Sequence, residues 1–113
     1  MEEWQVDFKW LELRHKLKEQ FKKASLPDLN AILFLIGMQE VGQTRKFTKE
    51  EKQDLMHVAI CRLLEKDDIY EFIGQDDDGW PHFEINRQLP KLSRQEQEEL
   101  LKLRIIDYFE NIW

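Results

Sequence analysis

The sequence predicts a mainly helical α+β domain: four helices built around a central apolar helix, with a β-hairpin between the third and the fourth. Three observations carry that prediction. Ala31 to Met38 runs two helical turns without a polar side chain, and a helix that is apolar all round has to be covered all round. Ser or Thr followed three residues later by an acid occurs at Ser25, Thr48 and Ser93, which marks three helix starts. From Ile69 the apolar period changes to two, with a Gly- and Asp-rich turn inside the run, and that is the signature of paired strands.

The first helix is expected from Glu3 or Gln5 to Ala24. Val6, Trp10, Leu13, Leu17, Phe21 and Ala24 recur at intervals of three and four, giving one core-facing stripe. Trp4, Phe8, Leu11 and His15 form a second stripe that falls nearly opposite the first at 100° per residue. That stripe either meets another part of the fold or is an exposed apolar patch that seeks a partner. Trp4, Val6 and Phe8 could instead alternate as a short strand ahead of the helix.

Ser25 to Asp28 is read as a capping box, with Pro27 in the first turn of the second helix. That helix runs through Val41, and Gly42 can adopt the left-handed conformation that closes it. At about a dozen residues it is well short of the roughly 20 needed to cross a bilayer. Gly37 costs about 1 kcal/mol relative to Ala inside a helix, so it is expected to permit close approach of a neighbour. Glu40, in the last turn, is expected to be exposed or locally hydrogen-bonded.

Thr48 caps a third helix to about Lys66, with Leu55, Met56, Ala59, Ile60, Leu63 and Leu64 on its core face. Ile69 to Ile73 and Trp80 to Ile85 are the two strands, and Gly74 to Gly79 is the turn. Pro81 has no amide hydrogen, so its strand should be open on that side. The hairpin aromatics should rest on helices, because a lone two-stranded ribbon is marginal in water. Asn86 to Leu92 leads to the final helix, where Leu100, Leu101, Leu103, Ile105, Ile106, Tyr108, Phe109, Ile112 and Trp113 leave its end clamped between elements.

At 113 residues the chain is expected to be a single domain, 1–113, that folds without disulfides or a structural metal. One cysteine, Cys61, excludes an internal disulfide, and no signal peptide is legible, so a cytoplasmic location is expected. A net charge of -6 argues against a general nucleic-acid binder, since counterion release requires a basic surface. The charge is uneven: Lys9 to Lys23 is basic and Glu65 to Glu84 acidic.

Two sets of residues are candidates for function. Asp54, His57 and Cys61 are spaced three and four apart on the third helix, so they can touch. A carboxylate, an imidazole and a thiol are the ingredients of a nucleophilic triad or half a zinc site. A buried cysteine beside a packed histidine explains the same letters. The second set is interaction surface: Trp4, Phe8, Leu11 and His15, together with Trp80 and His82 beside the acidic turn. That turn fails as a calcium loop, because Gly74 and Ile85 would occupy ligand positions one and twelve. No phosphate loop, dinucleotide fingerprint or nucleophile elbow is present, and neither a metal nor a cofactor is expected.

Lys9-Trp10-Leu11, Arg14-His15, Leu26 to Gly42, Phe47 to Ile60 and Asp76 to Ile85 together resemble a family of small uncharacterised bacterial proteins. The resemblance implies a bacterial cytoplasmic protein and no activity or site residue. The function expected is a non-catalytic interaction module with a protein partner or a second copy of itself. The alternative is a small enzyme or ligand-binding protein with a pocket near His57, Cys61 and the hairpin.

Overall fold

The computed structural model describes residues 2–43, 45–88 and 91–112. These residues form α1 (Glu3–Gln20), α2 (Leu29–Val41), α3 (Lys49–Leu64), a 3₁₀ turn at Glu65–Asp67, β1 (Tyr70–Gln75), β2 (Pro81–Ile85) and α4 (Arg94–Ile112). The fold is helical with one antiparallel hairpin between α3 and α4. Trp113, Thr44, Leu89 and Pro90, on which parts of the expected last helix and loops fall, lie outside the described residues.

Helix α1 is helical from Glu3, so Trp4, Val6 and Phe8 do not form a strand. Val6, Trp10, Leu13 and Leu17 are buried as expected. The helix stops at Gln20 rather than Ala24, leaving Phe21 and Ala24 exposed. The reason is a backbone cap: the Lys23 amide donates to the Lys18 carbonyl and the Lys22 amide to Glu19, with Lys22 at φ 51°. That is the Schellman arrangement with lysine in place of the usual glycine.

Asp28, not Ser25, caps α2, its carboxylate accepting from the Ala31 amide at 2.8 Å. Proline drives the residue before it out of the helical region, so a helix starting at Ser25 would be broken at Leu26. Pro27 is instead buried ahead of the cap, and its carbonyl accepts from Arg14 Nε at 2.8 Å. Ile32, Leu33, Leu35, Ile36, Gly37 and Val41 of α2 are buried, and Gly42 closes the helix at φ 75°.

Gly37 is where α2 and α3 meet most closely. A Cβ there would lie 2.9 Å from the Leu55 Cβ and closer still to the Leu55 carbonyl. Thr48 and Glu51 form the reciprocal capping box of α3. Of the expected arc Leu55, Ala59, Leu63 and Leu64 are buried and Met56 and Ile60 half-buried, while Val58 and Cys61 are buried as well, because the hairpin folds back against that side of α3.

The main core joins Val6, Trp10, Leu13 and Leu17 to Ile32, Leu33 and Ile36, to Ala59 and Leu63, and to Ile105, Ile106 and Phe109. A second cluster of Val41, Phe47 and Leu55 takes in Phe34, Met38 and Trp80. Ser93 and Glu96 cap α4 reciprocally. The end of α4 is not clamped: Ile112 is exposed.

Glu40 differs from expectation too. It is held at long range, accepting from Tyr108 Oη at 3.0 Å and from Arg62 Nε at 3.2 Å. One carboxylate therefore ties α2 to both α3 and α4. In the hairpin, Phe72 faces Phe83 and Gly74 faces His82, so Ile73 is a bulge. Asp76 N donates to Trp80 O, and the alternation of the ladder then puts Pro81 at a non-hydrogen-bonded position. Its missing donor falls on the open edge.

Candidate functional site

An open cleft of about 800 Å³ lies between α3, the α2–α3 loop and the hairpin. One face of α3 supplies Glu51, Asp54, His57, Val58 and Cys61; the loop supplies Gln43 and Arg45; the hairpin supplies Asp76, Asp78, Trp80, Pro81, His82 and Phe83. The spacing 51, 54, 57/58, 61 is that of a single helical face. The hairpin end is fastened across the cleft by Gln43 Nε2, which donates to the Asp78 carbonyl at 3.0 Å.

Within the cleft His57 Nε2 lies 3.5 Å from Cys61 Sγ, and the Tyr70 ring meets His57 edge-on. Asp54 makes no hydrogen bond to His57 among the described residues, so the structure brings together two members of the expected triad and not the third. Burial pushes the Cys61 thiol up to about 11. It is therefore a thiol at neutral pH, and the thiolate is the nucleophile. A catalytic cysteine is made by the opposite shift.

The other side chains are mostly engaged with one another. Arg45 makes two bonds to Glu51, the shorter 2.6 Å. That contact, followed by the Thr48 amide, brings the Glu51 carboxyl down to about 2. Asp76 organises the turn: Oδ1 accepts from the Asp78 and Trp80 amides, and Oδ2 pairs with His82 Nε2 at 2.9 Å. His82 and then the Trp80 amide hold the Asp76 carboxyl below its ordinary value. Among the described residues no three His, Cys, Asp or Glu side chains converge to hold a metal ion. With Glu51, Asp54, Asp76 and Asp78 against Arg45 alone, the lining is acidic.

Trp80 and His82 line the same cleft but behave differently. Trp80 is half-buried against the Phe34 and Met38 cluster, whereas His82 is exposed and held by Asp76. Gln43, Arg45 and Glu51 were not singled out by sequence reasoning as site residues. Glu51 announced itself only as a helix cap, and nothing in the polar loop distinguished Arg45.

The remaining candidates are on the far side of α1. Trp4 is 67% exposed, Phe8 61% and Leu11 45%, and His15 is exposed beside them. Among the described residues, then, the second stripe is left largely in solvent rather than covered by another part of the fold. A shallow hollow of about 340 Å³ follows it, lined by Phe8, Leu11, Glu12, His15, Lys16 and Glu19.

No family model matches the chain, and no curated protein or solved structure is similar enough to count as a match. Among the described residues no helix is long and apolar enough to cross a membrane.

Proposed function

We propose that the protein is a non-catalytic interaction module that docks a protein partner through the Trp4, Phe8 and Leu11 stripe. The exposure of those three large apolar side chains in one line is the observation that carries it. Scattered exposed hydrophobics are ordinary, but a contiguous row leaves apolar area in water that association would remove. Trp and aromatic side chains are also favoured anchors at interfaces. The likeness to small bacterial proteins goes with a setting in the bacterial cytoplasm.

The test is a photo-crosslinking residue installed in place of Phe8 in cells expressing the protein, with Gln53, exposed on α3, as the control position. Discrete adducts from position 8 and none from 53 are expected. Absence of any adduct from position 8 overturns the proposal.

The cleft favours a second reading, as a ligand site near His57, Cys61 and the hairpin. Its volume falls in the range of small-molecule sites, roughly 300–1,000 Å³, and its carboxylates select for a cationic ligand. The raised Cys61 thiol supports binding there over covalent chemistry.

A further inference from the structure

We infer that the partner of the α1 stripe is the same stripe on a second copy of this chain, the two helices lying antiparallel across a two-fold axis. This rests on the reading of α1 as a docking surface and adds what docks there and in which direction.

The hollow beside the stripe has a specific composition. Phe8, Leu11, Glu12 and His15 stand at i, i+3, i+4 and i+7, and Glu12, His15, Lys16 and Glu19 repeat the pattern one turn later. Four residues at that spacing form the hole that receives one knob from a facing helix. Two holes side by side, centred four residues apart, need two knobs four residues apart. The exposed knobs on this face are Trp4 and Phe8, which have that separation.

Direction follows from the order. With the helices antiparallel, Phe8 of one copy enters the first hole of the other and Trp4 enters the second, and the same register fills both hollows at once. A two-fold axis at the level of Lys9 and Trp10 generates this, so the contact closes on itself as an isologous dimer. A parallel pair could seat Trp4 in the first hole and Phe8 in the second only with a stagger of about two turns, which fills the hollow of one copy and leaves the other's empty, so the contact does not close. Trp4 is also suited to the second hole chemically, because its indole N–H is a donor and Glu12 and Glu19 border that hole.

Charge agrees. The first half of α1 is net acidic, with Glu2, Glu3 and Asp7 against Lys9, while its second half is net basic, with Arg14, Lys16 and Lys18 against Glu12 and Glu19, and Lys22 and Lys23 follow just beyond. Antiparallel pairing in this register sets Glu3 of each copy level with Lys16 to Lys18 of the other and Asp7 level with Glu12 to Arg14, and it opposes the two helix dipoles favourably. In-register parallel pairing would set like beside like. Trp4, Phe8 and Leu11 expose about 350 Å² of apolar surface per copy. That is under half of the ~800 Å² that a standard interface takes from each partner, so the dimer is expected to be weak and reversible.

The experiment is light scattering over about 1 to 500 μM, a range that spans such an affinity. The parent mass is expected to rise with concentration from 13.8 kDa toward twice that value. Trp4→Ser/Phe8→Ser should remain at the monomer mass with an unchanged far-UV spectrum, since both side chains are exposed. Glu3→Lys/Asp7→Lys and Lys18→Glu should each raise the midpoint about ten-fold. All three changes in one chain should restore most of the affinity, because antiparallel pairing again places opposite charges together. A parent that stays monomeric throughout overturns the inference. If position 8 still yields adducts of other masses, the docking reading survives it; if it yields none, both fall. A dimer that the triple variant weakens beyond either parent variant overturns the antiparallel arrangement.

Discussion

Replacing Gly37 with Ala tests the architecture at its tightest point. In an exposed helix the change would stabilise by about 1 kcal/mol. Here the new methyl group would overlap the Leu55 carbonyl and approach its Cβ. Two of the three nearest atoms are backbone, so no rotamer change in α3 relieves the overlap; the helices must separate. Overpacking costs about 1–3 kcal/mol, and more when the neighbour cannot yield. Taking the upper end of that range and subtracting the propensity gain leaves a net loss of about 2 kcal/mol. For a chain of this length about 4 °C accompanies each kcal/mol, so the melting midpoint should fall by ~8 °C. Thermal unfolding followed by far-UV circular dichroism reads this directly. Gly42→Ala is the comparison: it meets no neighbour within 4 Å but sits at φ 75°, which costs about 1–2 kcal/mol for a side chain. If Gly37→Ala melts within 2 °C of the parent, or above it, the close approach of α2 and α3 is wrong.

Three further outcomes are expected. Cys61, buried and raised to about 11, should react with a disulfide reagent at pH 7.5 far more slowly in the native protein than in urea; rapid native reaction would restore the catalytic alternative. Tyr108→Phe removes a hydrogen bond to the partly buried Glu40 and should cost about 1 kcal/mol in urea unfolding, while an unchanged midpoint would mean that Glu40 does not depend on it. The Asp67 carboxyl is held below its ordinary value, first by its hydrogen bonds to Arg104. A depressed carboxylate adds stability that is present above the unfolded value, near pH 4, and is lost as the pH falls through the folded one. Asp67→Asn should therefore lower stability at pH 7 and flatten the acid limb of the stability curve, and an equally steep limb would contradict the assignment.

Much of the fold was legible because it depends on local chemistry. The Thr48 and Ser93 boxes, the Gly42 closure, the two hairpin strands and the role of Gly37 each follow from a residue and its near neighbours. What failed depended on competition between local options. Ser25 and Asp28 both qualify as caps, and the restriction that Pro27 places on Leu26 decides between them. Lys22 gives no hint that it will accept a left-handed conformation, so the early end of α1 was hidden. Glu40 needed Arg62 and Tyr108, 22 and 68 residues away, which no periodicity reveals. For the candidate sites, helical spacing brought His57 to Cys61 and set the α1 stripe in line. It could not say that Asp54 stands apart, nor that the α2–α3 loop and the hairpin turn would meet at Gln43 and Asp78.

Arg62 joins the two halves of the molecule in an unusual way. Its edge is bonded to Glu40 and Glu65, while its guanidinium carbon lies 4.9 Å from the Phe72 ring centroid and 5.1 Å from that of Phe83. Glu65 in turn accepts from the Phe72 amide. The hairpin also carries a bulge and sets Glu71 directly against Glu84, a like-charge pair that weakens strand pairing. Its attachment thus adds charged and cation–π contacts to the packing of Trp80 and Pro81, whereas the helices are held mainly by buried apolar packing. Such a unit opens with a smaller free energy than the whole fold. Amide hydrogens of β1 and β2 should then exchange ahead of those in α2 and α3, and sooner still in concentrated salt, which screens exposed charge. The acidic cleft, having the hairpin as one wall, would come and go with that opening while the α1 surface persisted.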